Sequence, residues 1–319
     1  MRKPLLRILY ITLLIALWAG VGACTFSEEP QPCPYNIKLE YWYAGSGLEN
    51  MLPLYVDNLQ QYIFDEQGKL LSVYTAKGND VKQWSGTLPD GTYTIVAWGN
   101  LDEGQKAPQK VQSQTGQSTL QDMIVSARVD GVPPDYRANT SRLYYGTAEL
   151  IVSGGITHKK RIYMAHAHAA LSVTVKWMTN PPGENGVYRM RLRGAPSVYE
   201  FQSDYEALAP SGDGNFSLPV IQTPVTYHET RAAMNYEEEV YGQFVTFRYT
   251  SHTHPMWSLW KDGRQIVKEL DLYLFFAKLP MDMSKNMEQE FDLLVTIYED
   301  KIIVSQASVT DWDEGGTIG

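Results

Sequence analysis

Apolar and polar positions alternate along much of the chain with a period of two residues, which is the pattern of a half-buried β-strand. In residues 35–43 five aromatic or aliphatic side chains share one face: Tyr35, Ile37, Leu39, Tyr41 and Tyr43. Similar patterns predict further strands at residues 62–64, 70–74, 92–97, 143–152, 161–167, 169–177, 188–193, 240–249, 266–279, 291–298 and 301–309. No stretch longer than a few turns has the period of a helix, so the pattern predicts an all-β protein.

Turn residues divide these strands into two series. Gly68 permits the positive φ of a hairpin loop, and Pro89-Asp90-Gly91 is a second turn. Residues 102–119 are polar and rich in Gln, Ser and Gly, which predicts a long loop, and residues 180–186 predict another turn. We therefore expect two tandem antiparallel β-sandwiches, at residues 35–160 and 161–319, with a boundary near residues 154–166.

The first 23 residues have the composition of a secretion signal. A basic segment with Arg2, Lys3 and Arg7 precedes residues 8–21, an apolar run of 14 residues. This run is shorter than the roughly 20 residues that span a bilayer as a helix. Small residues then lead to Cys24, which is the arrangement of a lipoprotein signal, so we expect lipid on Cys24 and a tether at residues 24–34. The alternative is an ordinary cleaved signal followed by a chance cysteine.

Removal of this signal leaves 296 residues with 24 basic and 36 acidic side chains. An acidic surface argues against nucleic acid as a partner and against electrostatic adhesion to anionic lipid. Cys33 is the one other cysteine, so a lipidated Cys24 excludes an intrachain disulfide. Glu28 and Glu29 resemble the export tag of surface-exposed lipoproteins in some Gram-negative bacteria, although two glutamates in a solvated tether need no purpose.

Candidate catalytic and metal-binding residues are few. The pairs His166/His168 and His252/His254 could each offer two nitrogens on one face of a strand, but neither has Cys, Asp or Glu at a recognisable ligand spacing. The acidic runs 237–239 and 311–314 are interpreted as solvated charge, because neighbouring residues in a strand or loop point apart. No nucleophile elbow, P-loop or dinucleotide fingerprint occurs. We therefore predict no enzymatic activity and no cofactor. The histidines are interpreted as polar strand or loop residues, so no metal site is predicted, and metal binding by one of the pairs is the alternative.

Aromatic residues offer a different function, the binding of sugars. Most tryptophans lie in apolar strand patterns, which favours packing in a core. Trp257 and Trp260 lie in a region interpreted as a proline-containing loop, and with Tyr199 they would give the exposed aromatic row of a glycan-binding surface lipoprotein. That is the alternative function, and a lipid-anchored hydrolase with unidentified carboxylates is a third.

Two stretches, residues 62–68 and residues 88–100, carry a resemblance to a known family. Together with the signal ending at Cys24, the strand from residue 169 and the Thr-Asp-Trp at residues 310–312, they resemble the FimB-type fimbrial anchor subunits of type V pili over nearly the whole mature chain. The resemblance implies two transthyretin-like β-sandwiches, no enzymatic activity, and a lipid anchor in the outer membrane that faces the cell surface. It also implies that the protein holds the base of a pilus and limits its length.

The resemblance further implies how such a protein meets its partner, a pilus stalk subunit. An arginine-specific protease removes the first strand of stalk subunits, and a neighbour's C-terminal segment fills the groove by strand addition. Between Cys24 and Arg128 this chain has no arginine, so such a cut could not remove the strand at residues 35–43 and leave the first domain whole. Chance is the alternative explanation, since the chain has few arginines.

A subunit that keeps its first strand can still donate one. We expect residues 307–319 to reach the groove of the lowest stalk subunit, with these donor residues: Ala307, Val309, Trp312 and Ile318. The alternative is that residues 305–312 complete the second sandwich, with Trp312 as a core plug. The expected partners are therefore a stalk subunit and, through the lipid, the outer membrane.

Overall fold

The computed structural model describes residues 35–44, 48–101, 109–111, 113–130, 136–137, 139–178, 187–196, 198–201, 221–224, 226–232, 235–249, 253–278 and 288–306. From Asn36 onward these residues belong to one compact unit. Within the described residues, no helix combines the length and the apolar character that crossing a membrane requires.

Almost all regular structure is β-strand. The strands up to His166 are β1 (Ile37–Trp42), β2 (Asn58–Phe64), β3 (Leu70–Lys77), β4 (Gln83–Gly86), β5 (Gly91–Gly99), β6 (Gln109–Val111), β7 (Ile124–Ala127), β8 (Val129–Asp130), β9 (Tyr136–Arg137), β10 (Tyr144–Val152), β11 (His158–Tyr163) and β12 (Ala165–His166). The later strands are β13 (His168–Trp177), β14 (Tyr188–Arg193), β15 (Val198–Glu200), β16 (Ile221–Pro224), β17 (Thr226–Ala232), β18 (Asn235–Phe247), β19 (Met256–Lys261), β20 (Arg264–Asp271), β21 (Gln289–Ile297) and β22 (Ile302–Gln306). Among the residues that the structure describes, the helices are short: α1 (Leu52–Tyr55), α2 (Leu272–Phe276) and the 3₁₀ turns Gly78–Lys82 and Leu120–Asp122.

The first half of the chain forms two sheets, in the strand orders β11-β1-β4 and β12-β10-β5-β2-β3. Their facing side chains form a shared core, here called the first core, which includes Ile37, Leu39, Ile63, Ile95 and Leu150. All pairs in the larger sheet are antiparallel, whereas β1 runs parallel to β11. The alternating apolar residues of each strand thus bury one face, as a sandwich requires.

The second half repeats this arrangement with different strands. The sheets β17-β18-β13-β21-β22 and β16-β14-β19-β20 share the second core, which includes Leu171, Val173, Met190, Leu259 and Leu293. Here β13 and β21 form the parallel pair.

A third core covers the other face of the sheet β12-β10-β5-β2-β3. It combines residues of that sheet, such as Trp98 and Tyr145, with Val125 on β7, Tyr199 on β15 and Phe247 on β18. The strands β15, β7 and β6 form a small sheet beside it, and β8 pairs with β9. Residues from both halves of the chain therefore pack together in this core.

The hairpins follow from the turn chemistry. In the β2–β3 loop, Asp65 Oδ1 accepts hydrogen bonds from Gln67 N (3.1 Å) and Lys69 N (2.8 Å), and Gly68 has a φ of +76°. In the β19–β20 loop, Asp262 and Gly263 have φ values of +48° and +79°. Two consecutive positive φ values match the twist of a two-residue hairpin, which explains the Asp-Gly pair at this position.

The expected all-β class and the β2–β3 hairpin are confirmed. Three expectations about individual segments are wrong. Residues 266–279 are not one strand, because β20 ends at Asp271 and α2 follows. Tyr35 is exposed, since β1 begins only at Ile37, and the loop expected at residues 102–119 contains β6. The division into residues 35–160 and 161–319 stays a prediction; β12, just beyond residue 160, pairs with β10.

Candidate functional site

The edges of the sheets are the first candidates for a partner surface. An edge strand presents backbone N–H and C=O groups that another chain can pair with. Within the described residues, the two five-stranded sheets end at β12 and β3, and at β17 and β22. By contrast, β1 is the central strand of its own sheet, between β11 and β4.

The strand β1 is held from both sides. Its parallel pairing with β11 runs from Ile37↔His158 to Trp42↔Tyr163, and its antiparallel pairing with β4 covers residues 37–40. Ile37, Leu39 and Tyr41 are buried in the first core. Removal of β1 would expose the first core and leave β11 and β4 without their shared partner. The strand β1 therefore fills a groove between β11 and β4.

The strand β22 is the opposite case. It pairs with β21 from Leu293↔Gln306 to Ile297↔Ile302, and within the described residues no strand covers its other side. Val304 packs against the second core, whereas Ile302 and Ile303 are 46% and 43% exposed. Exposed apolar residues on an edge strand are a pairing surface.

The predicted site residues all lie outside the described residues: Cys24, Ala307, Val309, Trp312 and Ile318. The strand β22 ends at Gln306, directly before the predicted donor segment 307–319. The lipidation site and the donor segment therefore stay predictions.

The aromatic row expected for glycan binding is wrong in two of its three members. Tyr199 and Trp257 are 0% exposed, because Tyr199 stacks on Phe247 in the third core and Trp257 belongs to the second core. Trp260 is only partly exposed, and the guanidinium of Arg191 lies 3.9 Å from the centre of its ring. Trp257 and Trp260 lie on β19 rather than in a loop. The Asp-Gly pair at residues 262–263 is the sequence signal that could have identified this strand.

The two histidine pairs have different surroundings. His166 and His168 are buried where β12 gives way to β13, and their rings stack with centres 4.4 Å apart. The His168 Nε2 atom lies 3.9 Å from Glu290 Oε1 on β21. His252 is outside the described residues, and the exposed His254 has its Nδ1 atom 3.4 Å from Asp271 Oδ2. Glu290 is far from His168 along the chain, so a search for ligand spacing could not find it.

The side chains around His166 and His168 shift one another's pKa values. Burial and the neighbouring His168 lower the pKa of His166 to about 3, which keeps its imidazole neutral at ordinary pH. His168 and Arg142 hold the pKa of the Glu290 carboxyl below its ordinary value. The Arg142 Nη1 atom donates to Glu290 Oε1 at 2.6 Å, the same oxygen that lies 3.9 Å from His168 Nε2.

Comparison with known proteins shows which family the chain belongs to. A family model described as "Mfa2: Fimbrillin-A associated anchor proteins Mfa1 and Mfa2" matches residues 29–235, which is more than half of the chain. The chain belongs to this family of fimbrial anchor proteins. The resemblance to fimbrial anchor subunits found in the sequence is confirmed.

One relative is the minor fimbrium anchoring subunit Mfa2 of Porphyromonas gingivalis, which is 27% identical over 206 residues. The match covers 61% of each protein, so the chain spans about three-fifths of the length of that relative. The crystal structure of the fimbrial anchor protein Mfa2 from Porphyromonas gingivalis is similar with a TM-score of 0.62 and 19% identity, over 85% of this chain and 95% of that one.

A second similar protein comes from Bacteroides thetaiotaomicron and is provisionally described as polysaccharide-binding. Its crystal structure gives a TM-score of 0.65 and 14% identity, over 84% of this chain and 95% of that one. At these identities the two structural likenesses establish the fold.

Proposed function

We propose that this chain is a non-catalytic lipoprotein that holds the base of a fimbria in the outer membrane, stops its growth and joins the stalk by strand addition. The lipid is carried by Cys24, and residues 24–34 are the tether. Membership of the fimbrial anchor family supports the anchoring role at the level of the family.

The position of β1 is the observation that carries the proposal. By the family resemblance, a stalk subunit loses its first strand and accepts a neighbour's strand in the groove. Here β1 is in place: Ile37, Leu39 and Tyr41 are buried in the first core, and β1 is paired on both sides. No arginine occurs between Cys24 and Arg128, so an arginine-specific protease has no site from which to release β1. A subunit that cannot accept a strand ends the fibre.

The contact with the stalk is then made by donation. The edge strand β22 leads directly to residues 307–319, where Val309 and Ile318 are apolar positions in an otherwise polar tail. A chain truncated after Trp312 should keep the unfolding midpoint of the intact protein and lose its binding to the stalk subunit. Unchanged stalk binding would rule out the donor role of the removed residues.

The experiment that tests anchoring replaces Cys24 and follows the fibres. We expect Cys24→Ala cells to shed fimbriae into the medium, while wild-type cells and the matched control Cys33→Ala retain them. Immunoblots of the medium and of the outer-membrane fraction, with electron microscopy of both, give the result. Equal retention by Cys24→Ala cells would contradict a lipid anchor at this residue.

Glycan binding is the second candidate function, because one similar structure is provisionally described as polysaccharide-binding. The burial of Tyr199 and Trp257 removes the surface first considered for it. A glycan array separates the two functions, since the anchoring role requires no oligosaccharide ligand and the alternative requires one.

A further inference from the structure

The buried histidine pair and Glu290 form a cluster that the anchoring role does not use. His166 ends β12, His168 begins β13, and Glu290 lies on β21, opposite Ala170 in the parallel pairing of β13 and β21. One ring nitrogen of each histidine and one carboxylate oxygen of Glu290 lie within 4.8 Å of one another. Three strands thus bring three side chains that can bind a metal to one place.

Hydrogen bonds determine which nitrogen of each ring carries the lone pair. The His168 Nδ1 atom lies 2.8 Å from the backbone oxygen of Leu143, which can only accept, so Nδ1 must donate. In the neutral imidazole, which is the form that binds a metal, the lone pair of His168 is therefore on Nε2, a buried atom that lies 3.9 Å from Glu290 Oε1.

The same reasoning applies to His166. The Tyr43 hydroxyl donates to Glu288 Oε1 at 3.0 Å and lies 2.8 Å from His166 Nε2. Because the hydroxyl has a single hydrogen, His166 Nε2 must donate to the Tyr43 oxygen, and the lone pair of His166 is on Nδ1.

We propose that His166, His168 and Glu290 bind a divalent transition-metal ion, with zinc as the expected occupant, through His166 Nδ1, His168 Nε2 and the Glu290 carboxylate. Two neutral imidazoles and one carboxylate are ligands that Zn²⁺ takes, with a fourth position left for water. Each histidine donates its other N–H to a protein oxygen, and Arg142 orients Glu290, which is the outer arrangement that metal-binding histidines and carboxylates have.

Binding requires the three side chains to move closer together than the 4.8 Å within which their ligand atoms now lie. Ligand atoms of a tetrahedral zinc site are about 3.3 Å apart, given metal–ligand bonds of about 2 Å. The two rings, which now stack at an angle of 23°, must tilt so that their lone pairs converge. The Glu290 side chain is 46% exposed and provides both the entry path and the mobile ligand.

Charge sets the strength of the site. Glu290 and Glu288 favour a dication, whereas Arg142 and Arg248, whose Nη1 atom lies 3.5 Å from the His166 backbone oxygen, oppose it. The affinity is therefore lower than that of a closed four-ligand structural site. A bound ion would join β12 of the first-half sheet to β13 and β21 of the second-half sheet, and would stabilise the connection between them.

The test compares metal-dependent stability in matched variants. Full-length protein is purified in detergent through a tag without histidine, stripped with a chelator, and titrated with zinc against a fluorescent zinc indicator. We expect zinc to raise the unfolding midpoint of the wild type by several degrees. His168→Gln and Glu290→Gln should bind zinc at least about 100-fold more weakly and lose the shift. The control His254→Gln removes an exposed histidine near Asp271 and should keep both properties.

A second measurement keeps the proposal testable if His168→Gln does not fold. Cobalt added to the stripped wild type should give the visible absorption bands of a four-coordinate site, and zinc should remove them. Absence of these bands, or an equal zinc-dependent shift in the wild type and in Glu290→Gln, would show that the histidines are only buried packing residues.

Discussion

Leu39 shows what a single residue of β1 contributes. Its side chain is fully buried in the first core, so shortening it removes apolar contacts and leaves a cavity. We expect Leu39→Ala to lower the free energy of unfolding by about 2–5 kcal/mol, measured by urea denaturation.

The matched control is Ile303→Ala on β22, whose side chain is 43% exposed. This substitution should lower the free energy of unfolding by less than about 1 kcal/mol, because folding removes less apolar surface from water at a partly exposed position. Similar costs for the two substitutions would mean that β1 is not packed as described.

Gly146 on β10 is a residue whose missing side chain matters. A Cβ atom there would lie 2.7 Å from Met164 Sδ and 2.8 Å from the backbone oxygen of Tyr163. We expect Gly146→Ala to lower the free energy of unfolding by about 1–3 kcal/mol, because Met164 and the end of β11 must move away. Gly154→Ala is the control, since its nearest neighbour would be 3.9 Å away, and its thermal unfolding midpoint should be unchanged. An unchanged midpoint for Gly146→Ala would contradict this close approach.

The sequence predicts which residues are buried when only one face of a sheet is covered. It predicts burial poorly when both faces of the sheet are covered. Alternation on β5 predicts that Tyr93, Ile95 and Ala97 face inward, and the structure confirms it. Val96 and Trp98 are buried as well, because the third core covers the other face of the same sheet. A period of two residues contains no information about a second layer that comes from distant parts of the chain. The contact between Glu290 and His168 was not predictable either, because the two residues are far apart along the chain and only the fold brings them together.

At the scale of elements, strands with clear alternation were predictable from the sequence. The helix α2 was missed, although the sequence contains a local signal for it. The helix α2 follows a strand-like apolar run, but Asp271 Oδ1 accepts a hydrogen bond from Leu274 N at 3.0 Å and caps it. The parallel pairing of β1 with β11 has no such signal. It depends on which sheet edge is available once the other strands have paired, and that is decided by the whole fold.

A further element prediction concerns the release of β1. Glu49 is exposed in the segment after β1, so Glu49→Arg would place an arginine-specific cleavage site between β1 and the rest of the protein. We expect the cut protein to keep β1 in place, and to exchange it for a labelled peptide of residues 35–43 in mild urea, because the first core supplies the pockets. Fluorescence polarisation of the peptide measures the exchange.

Glu49→Lys is the control, because it makes the same change of charge and gives no arginine-specific cut. It should bind no peptide under the same conditions. Peptide binding to the uncut control, or none to the cut protein, would contradict the idea that β1 fills a strand-accepting groove.

At the scale of the whole molecule, the proposed function separates two roles: the lipid holds the fibre, and the filled groove ends it. A strain without this protein should therefore make fimbriae that are both shed and longer than wild-type fimbriae. A Cys24→Ala strain should shed fimbriae of wild-type length, because β1 still occupies its groove between β11 and β4. Electron micrographs of fibres from the medium give both length distributions. If Cys24→Ala fibres were as long as those of the deletion strain, attachment to the membrane, and not the occupied groove, would be what stops growth.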